Sequence, residues 1–275
     1  MLEWLRVDPL SCLQFMLYRA PAVLLALTLH EIAHGYIAWK CGDPTAHDCG
    51  RLSLNPAHHL SLVGTLLMFT AGMGWAKPVP VNPNNFRNRV RDDLLVSLAG
   101  VVMNFCLFSL ALLLSIGVNE LLWNPELFST DYALFTRTDF LSIQGHNFSQ
   151  ILYSDSDLIP FLINGNRYYP VELTQFLRQP ALIHVQRFLY QFEICNIGLC
   201  VFNLLPFPPL DGFHVFNDIL LGGRLKLNAR TFSMCMVALF VVMNVTNIFS
   251  TFMSSVIHFV QGGMLSLFLS CFGLA

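Results

Sequence analysis

APAVLLALTLHEIAHGYIAW, residues 20–39, is the stretch of sequence that decides the fold. It has the length of about 20 residues that a helix needs to cross a hydrocarbon core of about 30 Å. The stretch is apolar except for three ionisable side chains, His30, Glu31 and His34. Ionisable groups are costly inside a membrane, so each of them is a candidate functional residue. The stretch therefore predicts a membrane-spanning helix that carries a functional site.

The three ionisable residues form the pattern H-E-x-x-H. Histidines at positions i and i+4 lie on one face of a helix and can share a single metal ion. A glutamate beside the first histidine is placed to take a proton from water that the metal activates. A chance copy of the pattern would lie on a polar face or in a loop, whereas this copy lies in an apolar span. His30 and His34 are thus candidate metal ligands, and Glu31 is a candidate general base.

The composition of the whole chain points to a membrane protein. Of the 275 residues, 55% are apolar and only 12% are charged, against about 25% charged residues in soluble domains. The mean hydropathy is +0.56, and the net charge of −2 gives no indication of nucleic-acid binding. The N-terminal sequence lacks a basic region before an apolar one, so we expect no cleaved signal peptide. We predict an all-α polytopic membrane protein with about 4–6 membrane helices.

Further spans follow from long apolar segments. Residues 94–118 form a second full span without a charge, and residues 188–205 and 231–260 form later ones, the last ended by Gly262-Gly263. Residues 60–75 are too short for an ordinary crossing, so we expect a re-entrant or tilted helix there.

Gly100 and Asn104 share one face of the second span. A glycine lets another helix approach closely, and an asparagine can form a hydrogen bond across to it. This face either contributes to the functional site or only packs against another helix.

Two short segments, 50–56 and 76–83, are predicted to be extended. Each ends in Asn-Pro, which is a turn signal. Their residue alternation and proline spacing favour a strand or polyproline conformation over helix.

The span at 188–205 is followed by a turn that carries an aspartate. Prolines in this turn prevent it from being helical. Asp211-Gly212 comes directly after Pro206, Pro208 and Pro209. Such an aspartate has a fixed direction and little local hydrogen bonding, so it is a candidate third ligand. Asp218 is the competing candidate for the third ligand, and the sequence around it predicts an exposed position.

Residues 119–187 differ in composition from the rest and hold seven acidic and four basic residues. We expect a water-facing insertion on the extracytoplasmic side, because the basic loops at 74–93 and 223–230 belong in the cytoplasm by the positive-inside rule. The active site then lies toward the cytoplasmic side. The predicted divisions are a first half of the membrane core (1–118), the insertion (119–187) and a second half of the core (188–275).

Four segments together resemble the site-2 protease family of intramembrane zinc metalloproteases, peptidase family M50, in its compact bacterial branch without a PDZ domain. They are HEIAHGYIAWKCGDPTAHDCGRLSLNP (30–56), GWAKPVPVNP (74–83), SLAGVVMN (97–104) and NLLPFPPLDG (203–212).

The resemblance implies one zinc ion held by His30, His34 and Asp211, with Glu31 as the catalytic acid/base. Asn203 matches the family's asparagine that is associated with substrate engagement, and Asn104 is a second candidate for substrate binding. The extended segments resemble the family's small membrane-associated β-hairpin near the active site.

The resemblance also implies a function and a setting. The protein would be a metalloendopeptidase that hydrolyses peptide bonds within or near transmembrane segments, in regulated intramembrane proteolysis. Its partners would be transmembrane protein substrates and the lipid bilayer of a bacterial cytoplasmic membrane. The sequence leaves the oligomeric state and the physiological substrate open.

Three other functions compete with this interpretation. The chain could be a catalytically inactive pseudoprotease that binds membrane proteins, and a zinc and cleavage assay separates the two. It could be a transporter of metal ions or protons, although repeated halves are then expected and none is visible. It could be another type of intramembrane zinc protease with a different third ligand.

Overall fold

The computed structural model describes most of the chain. The described residues are 2–61, 64, 76–125, 136–143, 158–163, 167–172, 176–225, 227–228, 230–231, 234–235, 237–239, 241 and 247–274.

The chain begins with a short helix α1 (Leu2–Val7) and a long helix α2 (Pro9–Lys40). Helix α2 starts well before the predicted span, and Pro21 lies inside it. Proline is tolerated within apolar helices of this kind because neighbouring groups and local adjustments satisfy the freed carbonyl. Helix α2 ends at Lys40, and Gly42 follows with φ of 110°.

The segments after α2 are held by turns rather than by strands. A one-turn helix α3 (Thr45–Asp48) is followed by two 3₁₀ helices, Pro56–His58 and Pro83–Asn85. Both 3₁₀ helices start at the predicted Asn-Pro turns, where the side chains of Asn55 and Asn82 cap them.

The described residues do not support the predicted β-hairpin near the active site. Within the described parts of 50–61 and 76–83, the only pairing is an isolated bridge between Leu60 and Ala76. Pro78, Pro80 and Pro83 have no backbone N–H, so this segment cannot supply a regular ladder of hydrogen bonds. The predicted re-entrant helix at 60–75 falls almost entirely outside the described residues.

The second predicted span is confirmed as helix α4 (Arg89–Leu122). The insertion contains a short helix α5 (Arg137–Leu141) and an antiparallel pair of strands, β1 (Leu158–Ile163) and β2 (Arg167–Glu172). The strand register runs from Leu158 opposite Glu172 to Ile163 opposite Arg167.

The remaining helices are α6 (Leu182–Asn203), α7 (Asp211–Leu221) and α8 (Asn247–Cys271). Helix α8 continues through Gly262-Gly263, where the sequence predicts an end. In an apolar setting the backbone has no water to bond instead, so glycine does not terminate a helix as readily.

Three described helices are long and apolar enough to cross a membrane: Pro9–Lys40, Arg89–Leu122 and Phe249–Cys271. The chain is thus mostly helical and membrane-associated, as predicted. The count of 4–6 membrane helices stays a prediction, since α6 is long enough but is interrupted by polar side chains.

The chain forms two compact units. One comprises residues 1–22, 108–194 and 258–275, and the other comprises residues 23–107 and 195–257. His30, Glu31, His34 and Asp211 all belong to the second unit. The predicted divisions after residues 118 and 187 remain a prediction.

Candidate metal centre

Three side chains from two helices converge on one point. The Nε2 atoms of His30 and His34 in α2 lie 3.0 Å apart, and Asp211 Oδ2, at the first residue of α7, lies 3.3 Å from each of them. Within the described residues this is the one group of three or more potential ligands close enough to share a metal ion. The four-residue spacing of the histidines puts both rings on the same face of α2.

The donor set and its dimensions fit a catalytic metal such as zinc. Two imidazole nitrogens and one carboxylate oxygen leave a fourth tetrahedral position open. Metal–ligand bonds of about 2.0–2.1 Å at tetrahedral angles place ligand atoms about 3.3 Å apart, close to the observed spacings. Asp211 Oδ2 is buried and accepts no hydrogen bond from the part of the chain that the structure describes. A cation would satisfy this oxygen, so the residues present fit a metal ion.

Asp211 is ionised in this setting and is held by a close-packed turn. Burial opposes ionisation, but the adjacent His30 and His34 outweigh it and hold the pKa of Asp211 below its usual range. A Cβ on Gly212 would lie 2.4 Å from the Leu204 carbonyl oxygen, so the residue after Asp211 must be glycine for α7 to start here.

The competing acid, Asp218, is not exposed as the sequence suggests. It lies on α7 two turns beyond Asp211 and is 6% exposed. Burial and the charge of Asp93 raise the pKa of Asp218 to about 6. Asp93 Oδ2 also lies 3.6 Å from His214 Nδ1 and raises the pKa of His214. Asp218 is therefore part of a separate polar group and not of the His30–His34–Asp211 cluster.

Glu31 is oriented by the backbone of the proline-rich segment 76–83. The Val79 N–H donates a 2.8 Å hydrogen bond to Glu31 Oε2. A Cβ on Gly35 would lie 2.9 Å from Val79 Cγ1, so the glycine one turn after Glu31 allows this segment to pack directly on α2. One carboxylate oxygen of Glu31 is thus fixed, and the other is left for chemistry.

Side chains hold segment 76–86 in place instead of a β-ladder. Asp43 accepts hydrogen bonds from the Asn82 N–H and the Asn85 side-chain amide, each of 2.7 Å, and the Arg51 guanidinium donates to the Lys77 carbonyl at 2.8 Å. Burial opposes ionisation of Asp43, but its hydrogen bonds outweigh that effect and hold its pKa below the usual range.

Both imidazole rings contact α4. His34 Nδ1 lies 2.7 Å from the Val96 carbonyl oxygen, and His30 Nδ1 lies 3.1 Å from the side-chain amide of the fully buried Asn104. Between these contacts, a Cβ on Gly100 would lie 2.4 Å from His34 Nε2 and 2.5 Å from His30 Cε1. The face of α4 that carries Gly100 and Asn104 therefore packs against the candidate ligands.

Asn203 is the last residue of α6 and is half-buried. Its neighbour Leu204 packs against Gly212, so Asn203 belongs to the turn that leads to Asp211. No hydrogen bond joins its side chain to His30, His34 or Asp211 in the described structure. Its role in substrate binding stays a prediction.

Three contributors to the site were not identified from the sequence: the Val96 carbonyl, the Val79 N–H and Asp43. The first had a signal, because Gly100, one turn after Val96, marks a face of the helix that another helix can approach closely. The other two act through backbone groups of an irregular segment, for which a single sequence carries no periodic pattern.

The chain is similar in sequence to known proteins. Residues 18–245 match Peptidase family M50. A Bacillus subtilis protein named "Putative zinc metalloprotease YwhC" is 31% identical over 207 residues, which cover 75% of this chain and 71% of that protein. "Putative zinc metalloprotease Rip2" of Mycolicibacterium smegmatis is 30% identical over 132 residues, or 45% of this chain and 49% of that protein. No solved structure matches the chain significantly.

Proposed function

The chain belongs to peptidase family M50, and on that premise we propose that it is an intramembrane zinc metalloprotease of the site-2 type. It cleaves peptide bonds within or near transmembrane segments of membrane proteins. The observation that carries this proposal is the convergence of His30 Nε2, His34 Nε2 and Asp211 Oδ2 on one point beside Glu31.

In this proposal, His30, His34 and Asp211 hold one zinc ion. When bound, zinc supplies Lewis acidity toward the scissile carbonyl and lowers the pKa of water at its open position. Glu31 accepts a proton from the attacking water and returns it to the leaving amine. The Val79 N–H keeps one Glu31 oxygen occupied, which restricts the proton transfer to the other oxygen. Asn203, at the end of α6, is proposed to engage the substrate.

The setting limits the substrate class. A transmembrane helix satisfies its backbone hydrogen bonds internally, so a substrate helix must open locally before a carbonyl becomes reachable. Substrates with glycine or proline near the cleavage point are therefore favoured. We place the protein in a bacterial cytoplasmic membrane with its site toward the cytoplasm, on the basis of the basic loops at 74–93 and 223–230.

Replacement of the proposed base tests this function. Glu31→Gln is expected to keep the fold and the zinc but to abolish cleavage, because an amide cannot accept the proton. The measurement is quantitative proteomics of membrane-retained fragments in cells that carry wild type or Glu31→Gln. Glu120→Gln is the matched control, since Glu120 forms an ion pair with Arg137 outside the site.

We expect uncleaved fragments to accumulate with Glu31→Gln and not with Glu120→Gln. An identical fragment profile in wild type and Glu31→Gln would reject the protease function. It would instead favour a membrane-protein-binding pseudoprotease, which the similar proteins do not support.

A further inference from the structure

We propose that one face of α4 sets the tautomer of both histidine ligands. The face consists of the Val96 carbonyl, Gly100 and Asn104. It makes Asn104 a positioning residue of the metal centre instead of a substrate-binding residue. This inference rests on the proposed function, because it concerns the same metal site.

The spacing along the two helices makes this face continuous. Val96, Gly100 and Asn104 follow at intervals of four residues and so lie on one side of α4. His34 contacts the Val96 end and His30 contacts the Asn104 end. One helix face therefore contacts both ligand rings.

The tautomer of His34 follows from its contact with Val96. A carbonyl oxygen can only accept a hydrogen bond, so the 2.7 Å contact requires the proton on His34 Nδ1. The lone pair then lies on Nε2, the atom that faces Asp211 Oδ2. Gly100 allows this contact, since a side chain at this position would collide with the imidazole rings.

The tautomer of His30 follows from the orientation of the Asn104 amide. The amide has Nδ2 at 3.1 Å from His30 Nδ1, while its Oδ1 is buried and finds no hydrogen-bond partner among the described residues. Donation from Nδ2 would leave the imidazole proton on Nε2 and block metal ligation there. Rotation of the amide by 180° exchanges the two atoms. Asn104 Oδ1 then accepts from His30 Nδ1–H, and the buried oxygen gains its partner.

The metal-loaded centre therefore has the acceptor orientation of Asn104. Ligand histidines generally donate their second N–H to a carboxylate or carbonyl oxygen, which fixes the ring and raises its basicity as a ligand. Here the Val96 carbonyl and Asn104 Oδ1 take that role for His34 and His30 respectively.

Two substitutions of Asn104 distinguish an acceptor from a donor. Asn104→Asp keeps an acceptor oxygen at nearly the same place, whereas Asn104→Leu fills the space without any hydrogen bond. We expect Asn104→Leu to weaken zinc binding by about 10- to 100-fold and Asn104→Asp to bind zinc at least as tightly as wild type. Zinc affinity is measured by chelator competition on the purified full chain in detergent.

A spectroscopic readout separates positioning from packing. The visible d–d spectrum of the Co²⁺-loaded protein reports ligand geometry, so it should be shifted or weakened in Asn104→Leu and preserved in Asn104→Asp. Asn119→Leu is the matched control: Asn119 is equally buried in α4 and accepts from Trp123 Nε1, so its loss should leave zinc affinity unchanged. If Asn104→Leu does not fold, Asn104→Ala carries the same expectation.

The outcomes separate this inference from the proposed function. The inference would be overturned if Asn104→Leu bound zinc as tightly as wild type, or if Asn104→Asp and Asn104→Leu weakened zinc binding equally. Neither result would contradict the proposed metalloprotease function. A wild-type chain that binds no zinc, or binds it equally after His34→Ala, would overturn both.

Discussion

Gly100 shows how a residue without a side chain shapes the candidate site. Its Cβ position lies 2.4 Å from His34 Nε2, one of the proposed ligand atoms, whereas nothing lies within 4 Å of the Cβ position of Gly117 on the same helix. The two glycines have the same helical backbone and differ only in what surrounds them.

We expect Gly100→Ala to lower zinc affinity by on the order of tenfold or more. The added methyl group must displace an imidazole, and overpacking of this kind costs about 1–3 kcal/mol, with about 1.4 kcal/mol per factor of ten. Zinc affinity by chelator competition is the measurement, with Gly117→Ala as the control that keeps wild-type affinity. Equal affinities in the two variants would show that α4 does not press against the ligands.

Asp218 gives a prediction for the pH dependence of stability. Its folded-state pKa of about 6 lies above the ordinary value of 3.8, because of burial and the charge of Asp93. The unfolded chain therefore loses this proton at lower pH than the folded chain. Proton binding by Asp218 therefore stabilises the folded state in full below about pH 4. This stabilisation is lost as the pH rises through 6.

We expect Asp218→Asn to remove this pH-dependent cost. The variant should gain on the order of 1 kcal/mol over wild type above pH 6, after allowance for solvent screening, and the gain should shrink toward pH 4. Unfolding of wild type and variant in detergent at pH 4, 6 and 8 measures it. A gain that is the same at all three values would contradict the pKa assignment.

At the scale of elements, the proline-rich segment 76–86 is positioned by a single carboxylate. Asp43, just beyond the end of α2, accepts hydrogen bonds from the backbone of Asn82 and the side chain of Asn85. Val79 in the same segment bonds to Glu31. Release of this segment from Asp43 should therefore alter the position of Glu31, the proposed base, and leave the proposed metal ligands in place.

We expect Asp43→Ala to lower cleavage activity and to leave zinc content unchanged. Hydrogen bonds to a charged group contribute about 1.5–3 kcal/mol each, so the segment should also become more susceptible to limited proteolysis at 76–86. Asp48→Ala is the control, because Asp48 is exposed and pairs only with its neighbour His47 among the described ion pairs. If Asp43→Ala were cleaved at 76–86 no faster than Asp48→Ala, Asp43 would not be the residue that holds this segment in place.

The same elements show which features of the fold and the site can be predicted from the sequence and which cannot. The H-E-x-x-H spacing predicts two imidazoles on one helix face because helical geometry fixes i and i+4 neighbours. The proline-rich turn and Asp211-Gly212 predict an aspartate with a fixed direction, and the structure brings it to those imidazoles. These inferences depend on local geometry and on motifs that occur together.

The failures of prediction have a common physical origin. Gly262-Gly263 is a helix-ending signal calibrated on water-exposed chain, yet α8 passes through it. Of the strand and polyproline alternatives at 76–83, the strand finds no support, because the prolines remove the donors that it needs. Burial of Asp218 depends on how α7 packs, which local pattern does not encode.

At the scale of the whole molecule, a helical membrane framework carries the groups for hydrolytic chemistry. The described chain has three helices suited to cross a membrane, and two of them, α2 and α4, carry the ligand histidines and the face that contacts them. The family match over residues 18–245 covers α4 and most of α2. The central claim is that His30, His34 and Asp211 together form one zinc site.

Zinc K-edge X-ray absorption spectroscopy of the purified, zinc-loaded chain tests this claim most directly. We predict one zinc per chain with two imidazoles and further oxygen ligands at about 2.0–2.2 Å, and loss of that spectrum in Asp211→Ala. The chain has eight free cysteines, none of which belongs to the cluster. Sulfur scattering at about 2.3 Å, or an unchanged spectrum in Asp211→Ala, would contradict a zinc site formed by these three residues.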